Sequence, residues 1–393
     1  MIAHETESSY APPAAPLLRS EPFRLFFPLG VLLGWVGVGH WLLYAIGVAD
    51  SYSCVRHGLL QTQAFLMAFA MGFLWTALPR RLSAPAASSL EIGLATTALV
   101  ATTVLLVADR WVLAEFGYLA LFGMLLQFAV RRFANGSAHR RPPAAFVLVA
   151  LGAAQGIAGA TLIVARLSFE APAWTTSFGA LLVEQGVFLC FVMGIGGLVL
   201  PLMGGAAPPA DLGSSPRETW KAFGYLALGL TLFASLVAEQ LGAPREGQIV
   251  RGLTVAVGLG IGGGAWRLPA KPGLHRRLVW LAAWLTPTGL LVAGLFPDYR
   301  VPALHILFIG GFSLMTFGVA THVSLSHIGS GEAALGSPRW VMALAVGIVL
   351  AMMARVAADM SETYFQHLGW AAALWMTSSA IWLACLAPRL ARR

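Results

Sequence analysis

The run from 57 to 79, HGLLQTQAFLMAFAMGFLWTALP, carries one histidine at its start and no Asp, Glu, Lys or Arg before the Arg80–Arg81 pair that follows it. A helix needs about 20 apolar residues to cross bilayer hydrocarbon, so this run is long enough to span. Similar runs lie at 23–47, 88–108, 111–132, 144–165, 177–200, 221–241, 248–266, 277–296, 301–321, 339–358 and 366–388, which predicts twelve spans. Almost no chain is left for a soluble domain. The fold expected is all-α and polytopic, a single membrane domain over 23–388 between a flexible Pro/Ala-rich tail (1–22) and a basic tail (389–393). Composition agrees: of 393 residues, 58% are hydrophobic and 11% charged, and mean hydropathy is +0.75. Soluble domains carry about 25% charged residues. A soluble globular enzyme, a disordered chain and a fibrous one are therefore excluded.

The net charge of +8 invites a nucleic-acid reading, but nearly all the charges fall in short loops between apolar runs, so no nucleic-acid partner is expected. Counted over alternate connections, 18 of the 25 Lys and Arg residues lie on one side, among them Arg80, Arg81, Arg140 and Arg141, and seven, Arg56 and Arg355 among them, lie in connections on the other. By the positive-inside rule that side is cytoplasmic, which predicts both termini inside and a bacterial inner-membrane location. No charged and apolar leader with a cleavage site opens the chain, so no cleaved signal is expected. The three cysteines, Cys54, Cys190 and Cys385, form no CxxC pair, which excludes a four-Cys iron–sulfur cluster, a zinc ribbon and a covalent c-type haem.

Ionisable groups inside a membrane are costly and are functional candidates for that reason. His40, His57, His305 and His367 fall at comparable depth near the outer ends of four different helices. One helix cannot surround an ion, so convergence of this kind is what a metal or haem site in a bundle requires. The bland alternative is that each is an interfacial histidine. His322 and His327 sit at the opposite end of the tenth run, about 26 Å from His305 along a helix, so two centres are expected if both groups are real. His139 and His275 are read as residues of basic loops. Gln61 follows His57 by four positions and is expected to orient its imidazole. Arg56 is a candidate for a haem propionate, and Glu184 for a proton relay of catalytic use. Gly258, Gly260 and Gly263 fit GxGxxG, but within a span they read as helix packing, like Gly152 and Gly156.

Three stretches carry a resemblance. The 57–79 run is similar to the second-helix motif of the NnrS family, HxHE followed by GFLLTAVP. MGIGGLVLPLMG at 193–204 resembles its Gly-rich segment, and LHILFIGGFSLMTFGVATHVSLSHIG at 304–329 resembles LHALTVGAIGTMTLGVMTRASLGHTG, the most specific of the three. The resemblance implies a twelve-helix inner-membrane protein holding haem b (one or two groups), with copper as a further metal, in regulons that answer nitrogen oxides. His57, His305 and His327 match the motifs. Leu59 and Leu60 stand where the family has its second His and Glu, and His322 and Leu198 stand where it has Arg, as in a divergent branch.

With His40 or His367 recruited as further ligands, the expected function is binding of nitric oxide or its reduction to nitrous oxide, an oxidoreductase activity fed by a membrane quinol or another redox protein. The alternative is a twelve-helix secondary transporter. Against it, the loop after the second run lacks GxxxDRxGRR, and no matched pair of broken helices is evident. A third reading is a membrane factor that handles haem or copper for another enzyme.

Overall fold

Lipid cannot hydrogen-bond a backbone, so each apolar run must pair its own amides and carbonyls as a helix. The computed structural model describes residues 16–137, 140–329 and 334–391; His4 and His139 lie outside them. Among the described residues, eleven helices are long and apolar enough to cross a membrane: α1 (Phe23–Ala45), α2 (Cys54–Leu82), α3 (Ser89–Val107), α4 (Trp111–Asn135), α5 (Ala144–Phe169), α6 (Trp174–Gly204), α7 (Pro216–Gln240), α9 (Leu274–Leu295), α10 (Pro297–Ile328), α11 (Arg339–Ala358) and α12 (Tyr364–Leu390). Between α7 and α9, the run expected at 248–266 forms α8 (Pro244–Val257), which continues into a π-turn, Gly258–Gly262.

Helix α8 carries Arg245, Glu246 and Arg251, which keep it from being apolar enough to count as a span. Arg251 is fully buried. Its guanidinium donates to Gln185 Oε1 at 2.5 Å, Ser235 Oγ at 3.2 Å and Glu239 Oε2 at 2.8 Å. Glu239 also receives Gln248 at 3.0 Å and pairs with Arg300. The charge thus faces helices α6, α7 and α10 rather than lipid, where a buried cation must be matched to be tolerated.

Burial recurs every fourth helix. The most apolar stretches of α2, α6 and α10 are 89%, 78% and 67% buried, against 22–56% for the other eight spans. These three form the centre. Phe65 of α2 meets Phe317 of α10 at 5.8 Å between ring centroids, and Phe188 of α6 meets Phe312 of α10 at 6.3 Å. Helix α12 closes onto the centre through Trp375, whose indole donates to Ser313 at 3.2 Å, and onto α1, where Trp35 donates to Ser379 at 2.8 Å. The Gly258 and Gly152 motifs serve close packing: a Cβ at Gly258 would crowd Met193, and one at Gly152 would meet Phe191 at 2.8 Å.

The described part of the predicted N-terminal tail is packed. Leu17–Ser20 forms a helical turn, and Arg19 donates to the Ala87 carbonyl at 3.0 Å. Glu21 accepts from Arg24 at 2.6 Å and from Arg80 at 3.0 Å, and lies 3.3 Å from His327. Arg24 also reaches the Leu390 carbonyl at 2.5 Å, so α1, α2, α10 and α12 are latched at one end. Burial opposes charge on Glu21, but the Arg24 and Arg80 guanidinium groups outweigh it and hold the carboxyl below its usual range. A carboxyl lowered in the folded state stabilises it above the unfolded pKa, about 4.3, and ceases to do so as pH falls through the folded value. Glu21→Gln should therefore melt a few degrees below the parent at neutral pH, and the two should converge in acid below about pH 4. A gap that persists in acid would contradict the latch.

Candidate functional site: a two-histidine cavity

Three π-turns set the geometry of the bundle centre. They lie at Gln61–Leu66 in α2, Leu182–Gly186 in α6 and Ile306–Ser313 in α10. A π-turn widens the helix and frees backbone and side chains from strict α-spacing, and such turns concentrate at functional sites. Here all three flank one cavity of about 260 Å³. Its walls include His57, Gln61, Glu184, His305, Arg355 and Trp375, with apolar side chains from α1, α10 and α12 filling the rest.

Both histidines are held the same way. His57 Nδ1 donates to the Gly37 carbonyl at 2.7 Å, and His305 Nδ1 donates to the Val301 carbonyl at 2.8 Å. A carbonyl can only accept, so Nδ1 bears the proton and Nε2 keeps its lone pair. This arrangement, one ring nitrogen tied to a carbonyl and the other left as a donor of electrons, is the one metal-binding imidazoles adopt. Glu184 packs against Gly58, the residue after His57: a Cβ there would come within 3.0 Å of the Glu184 carboxyl carbon. Only a glycine lets α2 and α6 approach so closely there. Cys54 and Tyr364 also reach the cavity wall.

Other expected members stand apart. The His40 ring is 6.0 Å from that of His57, centroid to centroid, and neither of its nitrogens, both shielded from solvent, has a hydrogen-bond partner among the described residues. His367 lies outside the cavity wall, bonded at 3.2 Å to the Thr363 carbonyl of its own first turn, with its ring tilted against Trp370. Among the described residues no three His, Cys, Asp or Glu side chains converge as a metal-ligand set. A three-ligand outer site built with His40 or His367 is therefore not assembled. Arg56, the expected propionate partner, pairs with Asp109 at 2.7 Å. Gln61 lines the cavity but does not orient His57; its amide donates to the Gly34 carbonyl at 3.0 Å. The π-turn begins at Gln61, which ends the four-residue stacking that the expectation assumed.

At the opposite end, His322 and His327 have different partners. His322 Nδ1 lies 3.2 Å from Nε2 of His275, with the rings stacked at 5.3 Å. His275 is fully buried on α9, not a loop residue. His327 belongs to the Glu21 latch, within 2.5 Å of Arg80.

Two residues were missed by sequence reading. Arg355 was counted as a loop charge, yet it is buried at the cavity wall and pairs with Asp359 at 2.5 Å. The i,i+4 spacing of Arg355 and Asp359 was the available signal. His275 was hidden by its neighbours Arg276 and Arg277.

The fold and site define a multi-pass, all-helical membrane protein with a polar, histidine-bearing cavity at the junction of its three central helices. A family model described as NnrS protein matches residues 17–393, and the chain belongs to that family. Membership suggests a role in the nitric oxide response. No curated protein matches the chain.

The Gly37 carbonyl positions His57 only while α1 lies close against α2. A Cβ on Gly37 would meet Leu60 Cβ at 2.9 Å and strike the Gln61 amide, whereas one on Gly39 has Met376 Cε at 3.9 Å as its nearest neighbour. Overpacking typically costs about 1–3 kcal/mol. Gly37→Ala should lower the melting temperature in detergent while Gly39→Ala leaves it unchanged; equal melting of both would show that the approach is not tight.

Proposed function

We propose that this protein is a haem-binding membrane redox protein of the nitric oxide response, with its cofactor in the His57–His305 cavity. The observation that carries this reading is the shared state of the two imidazoles, each with Nδ1 tied to a carbonyl and Nε2 left free on a cavity wall. His57 and His305 would hold the iron, and Arg355 is the cation available to a propionate. Bound haem would supply a reducible iron that takes a diatomic ligand such as nitric oxide once one of the two imidazoles gives up its place.

The chain's own groups do the rest. The Phe65, Phe308, Phe312 and Trp375 side chains keep the cavity wall apolar, which suits a small uncharged gas arriving from the bilayer. Glu184 is the carboxyl on that wall, the place where a proton enters or leaves. Turnover of nitric oxide to nitrous oxide with electrons from a quinol is the fuller form of the proposal. His322, paired with His275, is the remaining candidate ligand for a second haem or a copper ion.

The same reading takes α8 as the twelfth span, its charges turned inward, and puts both termini in the cytoplasm of a bacterial cell. The basic residues Arg24 and Arg80, bonded to Glu21, and Arg81 and Arg276, bonded to the Pro209 and Met203 carbonyls, support this. The histidine cavity then opens from the opposite, periplasmic half.

Haem content per chain tests the ligand assignment. His57→Ala and His305→Ala should each lose at least half of the bound haem, while His367→Ala retains all of it. Loss confined to His322→Ala would place the cofactor at the other end, and unchanged content in both cavity variants would overturn the assignment.

A further inference from the structure

A second polar cluster lies beside the histidine cavity, in the arc formed by α2, α3 and α4. Glu115 of α4 is fully buried, and its Oε1 accepts from the Gln63 amide at 2.8 Å. Its other oxygen, Oε2, has no partner among the described residues. The same holds for Gln63 Oε1, for the Tyr118 hydroxyl and for Thr102 Oγ1, and all three of these residues are fully buried as well. Tyr118 follows Glu115 by one helical turn, and Thr102 packs against Gly117 between them. Four buried polar groups carried by α2, α3 and α4 therefore lack partners among the described residues.

Leaving a buried polar group unpaired is costly, about 1–3 kcal/mol for each. Chains avoid that cost with internal water, which needs two to four polar partners in one place. The cluster supplies four, one of them an acid. Glu115 also has a route at each end. Toward solvent, Asp109 precedes α4 and pairs with Arg56 at 2.7 Å, and Glu115 sits about 6 Å into the helix at 1.5 Å per residue. Toward the cavity, Gln63 shares its π-turn with Gln61 and Thr62, both on the cavity wall. Tyr118 is the other titratable group of the cluster. Toward α5, Phe122 packs on Gly156 and adds no charge.

We propose that Glu115, Gln63, Thr102 and Tyr118 form a hydrated, protonatable site that passes protons from the Arg56–Asp109 end of the bundle to the histidine cavity. The protonated Glu115 gives its proton from Oε2 to the next water toward Gln63, and a hydrated proton arriving from the Asp109 end then reprotonates the carboxylate. Each cycle returns the acid to its protonated state and moves one proton, with no change in electron count. Glu115 is a relay group that does not touch the cofactor. The delivery step rests on the redox reading of the cavity; the hydrated site does not.

Infrared difference spectra of the full chain in phosphatidylcholine vesicles test the site directly. Wild type minus Glu115→Gln should show a protonated carboxyl band that shifts on exchange into D2O. Glu115→Asp should restore a shifting band. A missing band, or one that D2O leaves unmoved, would overturn the hydrated site. Proton uptake upon reduction, followed with a pH dye, should slow at least tenfold in Glu115→Gln and recover in Glu115→Asp, with haem content unchanged. Unchanged uptake in a haem-loaded Glu115→Gln would overturn delivery to the cavity. A wild type that binds no haem would end the cavity reading, while the infrared result would still decide the site.

Discussion

Lipid offers no partner to a charge or a hydrogen-bonding group, and the arrangement of this bundle follows from that constraint. Polar side chains on the spans turn inward, and they do so onto α2, α6 and α10, the most buried stretches of the fold. Arg251 meets Gln185 and Glu239, Glu115 meets Gln63, and Glu184 packs on Gly58. All of these contacts but the Arg251–Glu239 pair involve α2 or α6. The flanking helices bring charge to the centre and leave apolar faces for lipid. Exposed Leu90, Val104, Val130 and Val346 are therefore expected on the outside of such a protein.

The π-turns explain why the polar groups gather where they do. A regular α-helix displays residues on fixed faces, and its carbonyls are all committed. Widening α2, α6 and α10 at one level lets Gln61, Glu184 and Ser313 project into shared space while the chain continues in register below. His57 sits one turn before the widened segment of α2 and His305 directly before that of α10, and both reach the same cavity. The opposite end has a different logic. There Glu21 gathers Arg24, Arg80 and His327, and the basic end of the bundle is held by ion pairs outside the cavity.

Much of this was legible in the residues, because apolar length and the cost of buried charge act locally. The 57–79 run became α2, and the depth of His57 and His305 pointed to one another. Legibility failed where the tertiary partner decides. The 248–266 run looked apolar enough, yet its helix begins four residues earlier and buries Arg251 against Glu239, which no count along α8 alone would show. Arg355 read as a loop charge because its partner, the cavity, is made by other helices. Gln61 was placed on the face of His57 by α-helical spacing, and the π-turn that voids this spacing has no signature in QTQAFL. His40 and His367 matched in depth but not in direction. Depth is a property of sequence; direction is set by packing.

The central claim is that the His57–His305 cavity is a haem site that meets nitric oxide. The most direct measurement is the optical spectrum of the detergent-purified chain, oxidised, reduced, and reduced with nitric oxide added. The account predicts b-type haem bands on reduction and a shift of those bands when the gas binds. A colourless, metal-free protein, even after haem is supplied during expression, would contradict it and leave a transporter as the better description of the bundle.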